Sequence, residues 1–272
     1  MQYEPIKLQI DRFISGSILL KMFFFKLLDI YLLRTWHVHK VLKKILKDQK
    51  DSFVVMDAGA GFGQYSWFLL RKWKNIKVSA VDISEKHIEK AKDFFDKANY
   101  KNIDLHTASL TEYYEKEKFD LIISVDVMEH IMDDLKVFEN FHASLKEGGI
   151  LLVSTPSDQG GSGVHDHHED ESFIDEHVRD GYSILEISEK LKTVGFDEVE
   201  CKYTYGKPGK ISWLMQMMVP ISLLNKSKFF VLFLIIYLPL IILPCLLLNL
   251  ADLHIKHRSG TGLIVTARKN HV

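Results

Sequence analysis

The sequence predicts an α/β fold on a mostly parallel sheet, and three observations predict it. From residue 53 onward, short apolar runs alternate with helix-period segments. The first run closes on an acid, Asp57, and is followed by a glycine-rich turn, Gly59-Ala60-Gly61-Phe62-Gly63, into a helical pattern. The second run closes on another acid, Asp82.

Strands are predicted at 53–57, 77–82, 103–107, 119–126, 149–155, 196–205 and 261–267. Helices are predicted at 63–74, 84–98, 133–146 and 183–194, the second capped by Ser84 with Ile88, Ala91, Phe94 and Phe95 on one face. The glycines of LKEGG (145–149) are expected to end the third of these core helices.

Two regions depart from the alternation. Residues 13–33 are apolar but carry Lys21, Lys26 and Asp29 within an arc of roughly 140° at 100° per residue. That pattern predicts a helix lying on a membrane surface. Residues 211–250 end in FFVLFLIIYLPLIILPCLLLNL, an uncharged run long enough for a transmembrane candidate. It falls between the last two strands, so both its ends must return to one side of the molecule. Pro220, Pro239 and Pro244 predict bends. A monotopic or re-entrant insertion is therefore expected, with Lys207, Lys210, Lys226, Lys228, Lys256 and Arg258 facing anionic head groups. The organisation expected is N-terminal amphipathic helices (1–50), a core (51–206), the insertion (207–250) and the final strand (251–272).

Thirty-five Lys and Arg against 36 Asp and Glu give a net charge of −1, which argues against nucleic acid as a partner. Cys201 and Cys245 make no disulfide framework and fit a reducing compartment. No secretory signal is read in the N-terminal residues.

The glycines of the 57–63 turn let backbone amides approach a ligand, and Asp57 could accept from a ligand's ammonium group. Asp82 is placed for ribose hydroxyls. A dinucleotide site would put glycine where Gln64 stands, and a carboxylate beside a pyrophosphate is repulsive. A reductase using NAD(P), and a noncatalytic scaffold of the same fold, remain alternatives.

VVMDAGAGFGQYS, AVDISEKHIEKAK, FDLIISVDVMEHIMD and LKEGGILLVSTPS, in this order, resemble the motifs of class I S-adenosylmethionine-dependent methyltransferases, nearest the quinone-biosynthesis and small-lipid type. The resemblance implies a Rossmann-like, doubly wound, seven-stranded sheet of order 3-2-1-4-5-7-6 with its last strand antiparallel. It implies S-adenosyl-L-methionine held by Asp57, Gly59, Gly61 and Gly63 at the methionine end. Asp82 and Ile83 would hold the ribose, Ser109 and Leu110 would flank the adenine, and Asp126 and Val127 would close the site. A base is needed only for a hydroxyl or ammonium acceptor, and His130 and His165 are the candidates, within a wider set of His167, His168 and His177. Asp126, Glu129 and His130 also resemble a metal-binding E-x-x-E-H motif with Asp in place of its first Glu, yet no metal is assigned to them. The expected activity is methylation of a hydroxyl on a lipophilic acceptor at the cytoplasmic face of a membrane.

Overall fold

The computed structural model describes residues 17–49, 51–160, 178–227 and 229–270. Two helices, α1 (Ile18–Tyr31) and α2 (Leu33–Ile45), precede the sheet. The core then runs β1 (Phe53–Ala58), α3 (Gln64–Lys72), β2 (Ile76–Asp82), α4 (Glu85–Lys97), β3 (Ile103–Thr107), β4 (Phe119–Val125), α5 (Asp134–Ser144) and β5 (Leu145–Pro156). It continues with α6 (Ile184–Thr193) and β6 (Asp197–Thr204). Next come α7 (Lys207–Trp213), a π turn at Leu214–Met218, α8 (Val219–Lys226) and α9 (Phe230–His254); β7 (Gly262–Arg268) closes the sheet.

The strand order is β3-β2-β1-β4-β5-β7-β6, with β7 antiparallel to both neighbours, as the motif resemblance implies. β1 and β4 are buried on both faces, which is why they read as continuous apolar runs rather than alternating ones. One apolar layer lies under α1–α4 (Phe25, Leu42, Trp67, Phe94, Phe95) and a second under α5 and α6 (Phe138, Phe141, Ile187, Leu191). Ser84 caps α4, its hydroxyl accepting from His87 N.

The LKEGG glycines do not cap a helix. Leu145 already pairs with Phe119, the next partners are Leu121 and Ile150, and the intervening residues form a bulge in β5. Gly148, at φ +71°, takes up the extra length, and its N–H donates to Lys269 O at 2.7 Å.

The apolar insertion is a helical hairpin, α7 through α8 running out and α9 packing back against it. The start of β7 pairs with both the end of β6 (Thr204 with Gly262) and the end of β5 (Pro156 with Gly262), so the hairpin leaves and rejoins the sheet at the carboxyl edge of the parallel strands. The prolines, where bends are expected, fall inside helices. Pro220 sits in the first turn of α8, where a missing N–H costs nothing. α9 continues through Pro239 and Pro244 for 25 residues, about 37 Å. The carboxylate of Asp252 fastens the base of the hairpin, accepting from His37 Nε2 (2.9 Å), Gly209 N (3.0 Å) and Tyr205 N (3.2 Å).

Toward its tip the hairpin is bare. Only 17% of the most apolar 18-residue stretch of α9 is buried. Leu232, Ile236, Leu240, Leu243 and Leu247 form an exposed stripe, and Phe229 at the tip is 87% exposed. α9 is the one helix among the described residues long and apolar enough to cross a membrane.

Candidate active site

The sheet's carboxyl edge carries a pocket of about 190 Å³ lined by Asp57, Gly59, Ala60, Gly61, Phe62, Gln64, Tyr65 and Val125 on one side and by Phe24, Phe25 and Leu28 of α1 on the other. Its floor is the turn between β1 and α3. Gly59 N and Ala60 N donate to Val81 O, at 2.8 and 3.0 Å, which folds the turn back over β2.

The three glycines have different work. At Gly59 (φ +77°) a Cβ would lie 2.2 Å from Val127 Cγ2, so glycine is required by close packing on the segment after β4. At Gly63 (φ +83°) a Cβ would meet the Phe95 ring at 2.7 Å; this residue faces α4 and does not line the pocket. At Gly61 (φ +54°) a Cβ would meet nothing within 4 Å, so the open side is the pocket itself. Gly63→Ala is therefore expected to cost stability, by about 2 to 3 kcal/mol from left-handed strain plus the clash. Gly61→Ala should cost only about 1 kcal/mol and act on ligand affinity instead. Thermal unfolding and calorimetric titration of the two variants separate these effects.

Asp57 is 2% exposed and spends one carboxylate oxygen on Ser66, accepting from its N–H at 3.0 Å and its hydroxyl at 2.6 Å. Burial pushes its pKa up to about 6, against the pull of the Ser66 hydrogen bonds. A cation placed in the pocket would return it to the ordinary carboxylate range. Asp82 is arranged oppositely. Burial works to raise it, but hydrogen bonds from His87, Ser84 N (2.9 Å) and Gly61 N (2.8 Å) hold it below the usual value. Ile83 beside it is an exposed apolar side chain and does not line the pocket.

Ser109 and Leu110 follow β3. Asn140 of α5 donates to Leu110 O and Thr111 O, both at 2.9 Å, and the Ser109 hydroxyl pairs with that of Thr111. Asp126, at φ +51°, follows β4, with Val127 seated against Gly59. The segment after it is pinned from α6's side: Tyr182 donates to Met128 O and Asp134, and Arg179 donates to Ile131 O.

His130 stands exposed on the short turn Met128–His130. Glu129 points inward, 1% exposed, accepting from the Thr155 hydroxyl at 3.2 Å, and burial raises its pKa. Asp126 is paired with Arg34. Among the described residues no three metal-ligating side chains converge. His165, His167, His168 and His177 lie outside the described residues.

Sequence reasoning missed an arginine that stands behind Tyr65 of the pocket's lining. Arg34 of α2 reaches Asp126, its N–H donates to the Tyr205 hydroxyl at 2.7 Å, and its guanidinium lies beside Tyr65. Arg34 Nε and Tyr65 Oη are buried and lack hydrogen-bond partners. The available signal was a lone arginine in the apolar run YLLRTW. Two charges of α1 also turn toward the core. Lys21 donates to Lys90 O at 3.0 Å and Asp29 accepts from Gln64 at 3.0 Å, so these charges hold the helix to the core and an apolar face looks outward.

Residues 49–205 match a family model described as a methyltransferase domain. The chain belongs to the methyltransferase domain family. The class I resemblance carried by its motifs is thereby borne out. The malonyl-[acyl-carrier protein] O-methyltransferase 2 of Ilyobacter polytropus is 28% identical over 130 residues, covering 48% of this chain and 49% of that protein. The ubiquinone biosynthesis O-methyltransferase of Pelagibacter ubique is 30% identical over 126 residues, covering 43% and 51%. The chain thus spans about half the length of these relatives. Among solved structures, the Haemonchus contortus phosphoethanolamine N-methyltransferase 2 in complex with S-adenosyl-L-methionine superposes with a TM-score of 0.59 at 20% identity, covering 87% of this chain and 53% of that one, a likeness of fold.

Proposed function

We propose that this methyltransferase domain transfers a methyl group from S-adenosyl-L-methionine to a lipophilic acceptor at a membrane surface. The observation that carries the membrane part is the bare apolar hairpin rising from the same sheet edge as the pocket. A protein partner would cover one side of α9, whereas a helix apolar all round suits lipid. Lys207, Lys210, Lys256 and Arg258 near its base suit anionic head groups at the cytoplasmic face, whereas Lys226 ends α8 beside the tip.

The pocket's residues fit the cofactor. The open backbone at Gly61 admits it, and Asp57, buried with no cation beside it among the described residues, suits its ammonium. Arg34, with an unpartnered Nε, suits its carboxylate. Asp82 is assigned to the ribose with Ile83, and Ser109 and Leu110 to the adenine; Gly59, Gly63 and Val127 shape the turn beneath. When bound, the cofactor supplies a methyl on a sulfonium that is its own leaving group. The chain's task is then to align the acceptor and exclude water, the first worth several orders of magnitude in rate. Phe24, Phe25 and Leu28 make the apolar wall for that alignment. For a hydroxyl acceptor, His130 and His165 are the proposed bases; a carboxylate acceptor would need none.

The relatives' names support an acyl or quinone-like acceptor: malonyl-[acyl-carrier protein] and ubiquinone-biosynthesis O-methyltransferases. Calorimetric titration of the full chain is the first test. S-adenosyl-L-methionine should bind and raise the melting temperature while NAD(P) does neither; a folded chain that takes up NAD(P) alone would reverse the assignment.

A further inference from the structure

We infer that α1 is a lipid-responsive wall of the cofactor pocket, so that docking on a membrane tightens cofactor binding. The inference rests on the membrane reading above and adds a coupling to it.

α1 is one helix thick between two different surroundings. Its inner side, Phe24, Phe25 and Leu28, lines the pocket opposite the glycine turn. Its outer side presents Leu19, Phe23, Leu27 and Ile30, spaced at four, four and three residues, all exposed. A helix with water outside would carry polar residues on that stripe. The stripe here is apolar, with the exposed Lys26 at its edge, where a lysine stem can lie along lipid and its ammonium meet an anionic head group. Lys21 and Asp29 are used to fasten the helix to the core. A lipid surface is the occupant that matches, because the next apolar surface along the chain's exterior is the hairpin, and α1 touches it.

That touch is specific. It falls at the π turn, Leu214–Met218, where two carbonyls accept from tyrosines of other helices. Tyr31, the last residue of α1, donates to Gln216 O at 3.4 Å, and Tyr237 of α9 donates to Met215 O at 3.1 Å. Two residues before Tyr31, Asp29 accepts from Gln64, the first residue of α3 after the glycine turn, and lies 3.6 Å from Arg71. Hairpin, α1 and cofactor turn are thus joined through contacts only two positions apart on one rigid helix. Seating the hairpin and the outer stripe in lipid fixes α1, and fixing α1 fixes the wall against which the cofactor packs. By linkage, the cofactor must tighten membrane binding by the same factor.

The test uses S-adenosylhomocysteine as the probe, titrated into the full chain with and without anionic phosphatidylglycerol vesicles. Vesicles should lower its Kd by at least about threefold. Tyr31→Phe should still pellet with vesicles but lose most of that shift. Leu19→Ser with Leu27→Ser, which alters only the outer face, should bind S-adenosylhomocysteine normally without vesicles and also lose the shift. An identical Kd with and without vesicles, for a chain that demonstrably pellets with them, overturns the coupling and leaves the membrane reading standing. A chain that binds S-adenosylhomocysteine but never pellets overturns both.

Discussion

Asp57→Asn is expected to abolish useful cofactor binding while making the empty protein more stable at neutral pH. The two effects have one cause. The carboxylate is buried, no cation among the described residues answers it, and its pKa is raised from 3.8 to about 6. A carboxyl raised in the folded state opposes folding when ionised, at pH above about 6. That opposition disappears as the pH falls below the unfolded value near 4. Two pKa units correspond to about 3 kcal/mol, so the variant's advantage at pH 8 should approach that figure and vanish at pH 4. Asparagine can still accept from Ser66, so the start of α3 keeps its tie. Binding should weaken by about a hundredfold, since a buried ammonium loses its counter-charge. In the wild type, binding should fall as pH drops through 6. Unfolding curves at the two pH values, with calorimetric titrations of both proteins, check the set.

The second large effect is expected from the hairpin. Ile236→Asp, Leu240→Asp and Leu243→Asp together should remove the chain from anionic vesicles, lowering partitioning by more than about a hundredfold. Each exchange forfeits apolar transfer and would carry a charge costing up to about 3 kcal/mol into lipid. All three side chains are exposed, so the fold and cofactor binding should persist. Flotation of the triple variant beside the wild type measures this directly. Equal flotation would mean that the hairpin is not the membrane foot.

The core was legible in the sequence because its signals are local. Strand ends carrying Asp57 and Asp82, the helix cap at Ser84, and the glycine turn each lie within a few residues of what they organise. The hairpin's composition was equally plain, and α9 runs on through Pro239 and Pro244, where bends are expected. What escaped were relations across the fold. Nothing near Arg34 announces Asp126, Tyr65 or Tyr205, which arrive from a different helix and two strand ends. That Lys21 and Asp29 turn toward the core was not legible, because periodicity gives the angle between residues but not which side meets the core. LKEGG has the composition of a helix stop, and only the pairing of Leu145 with Phe119 shows it to be a bulge.

The central claim, methyl transfer from S-adenosyl-L-methionine to a lipid-phase acceptor, meets its most direct test in one labelling measurement. The full chain would be incubated with methyl-tritiated cofactor and vesicles of a bacterial total-lipid extract, then partitioned between organic solvent and water. The account predicts enzyme-dependent tritium in the organic phase, strongly reduced for Asp57→Asn and for the hairpin triple variant. A cofactor-binding chain that floats with the vesicles yet leaves all tritium in the aqueous phase would contradict it.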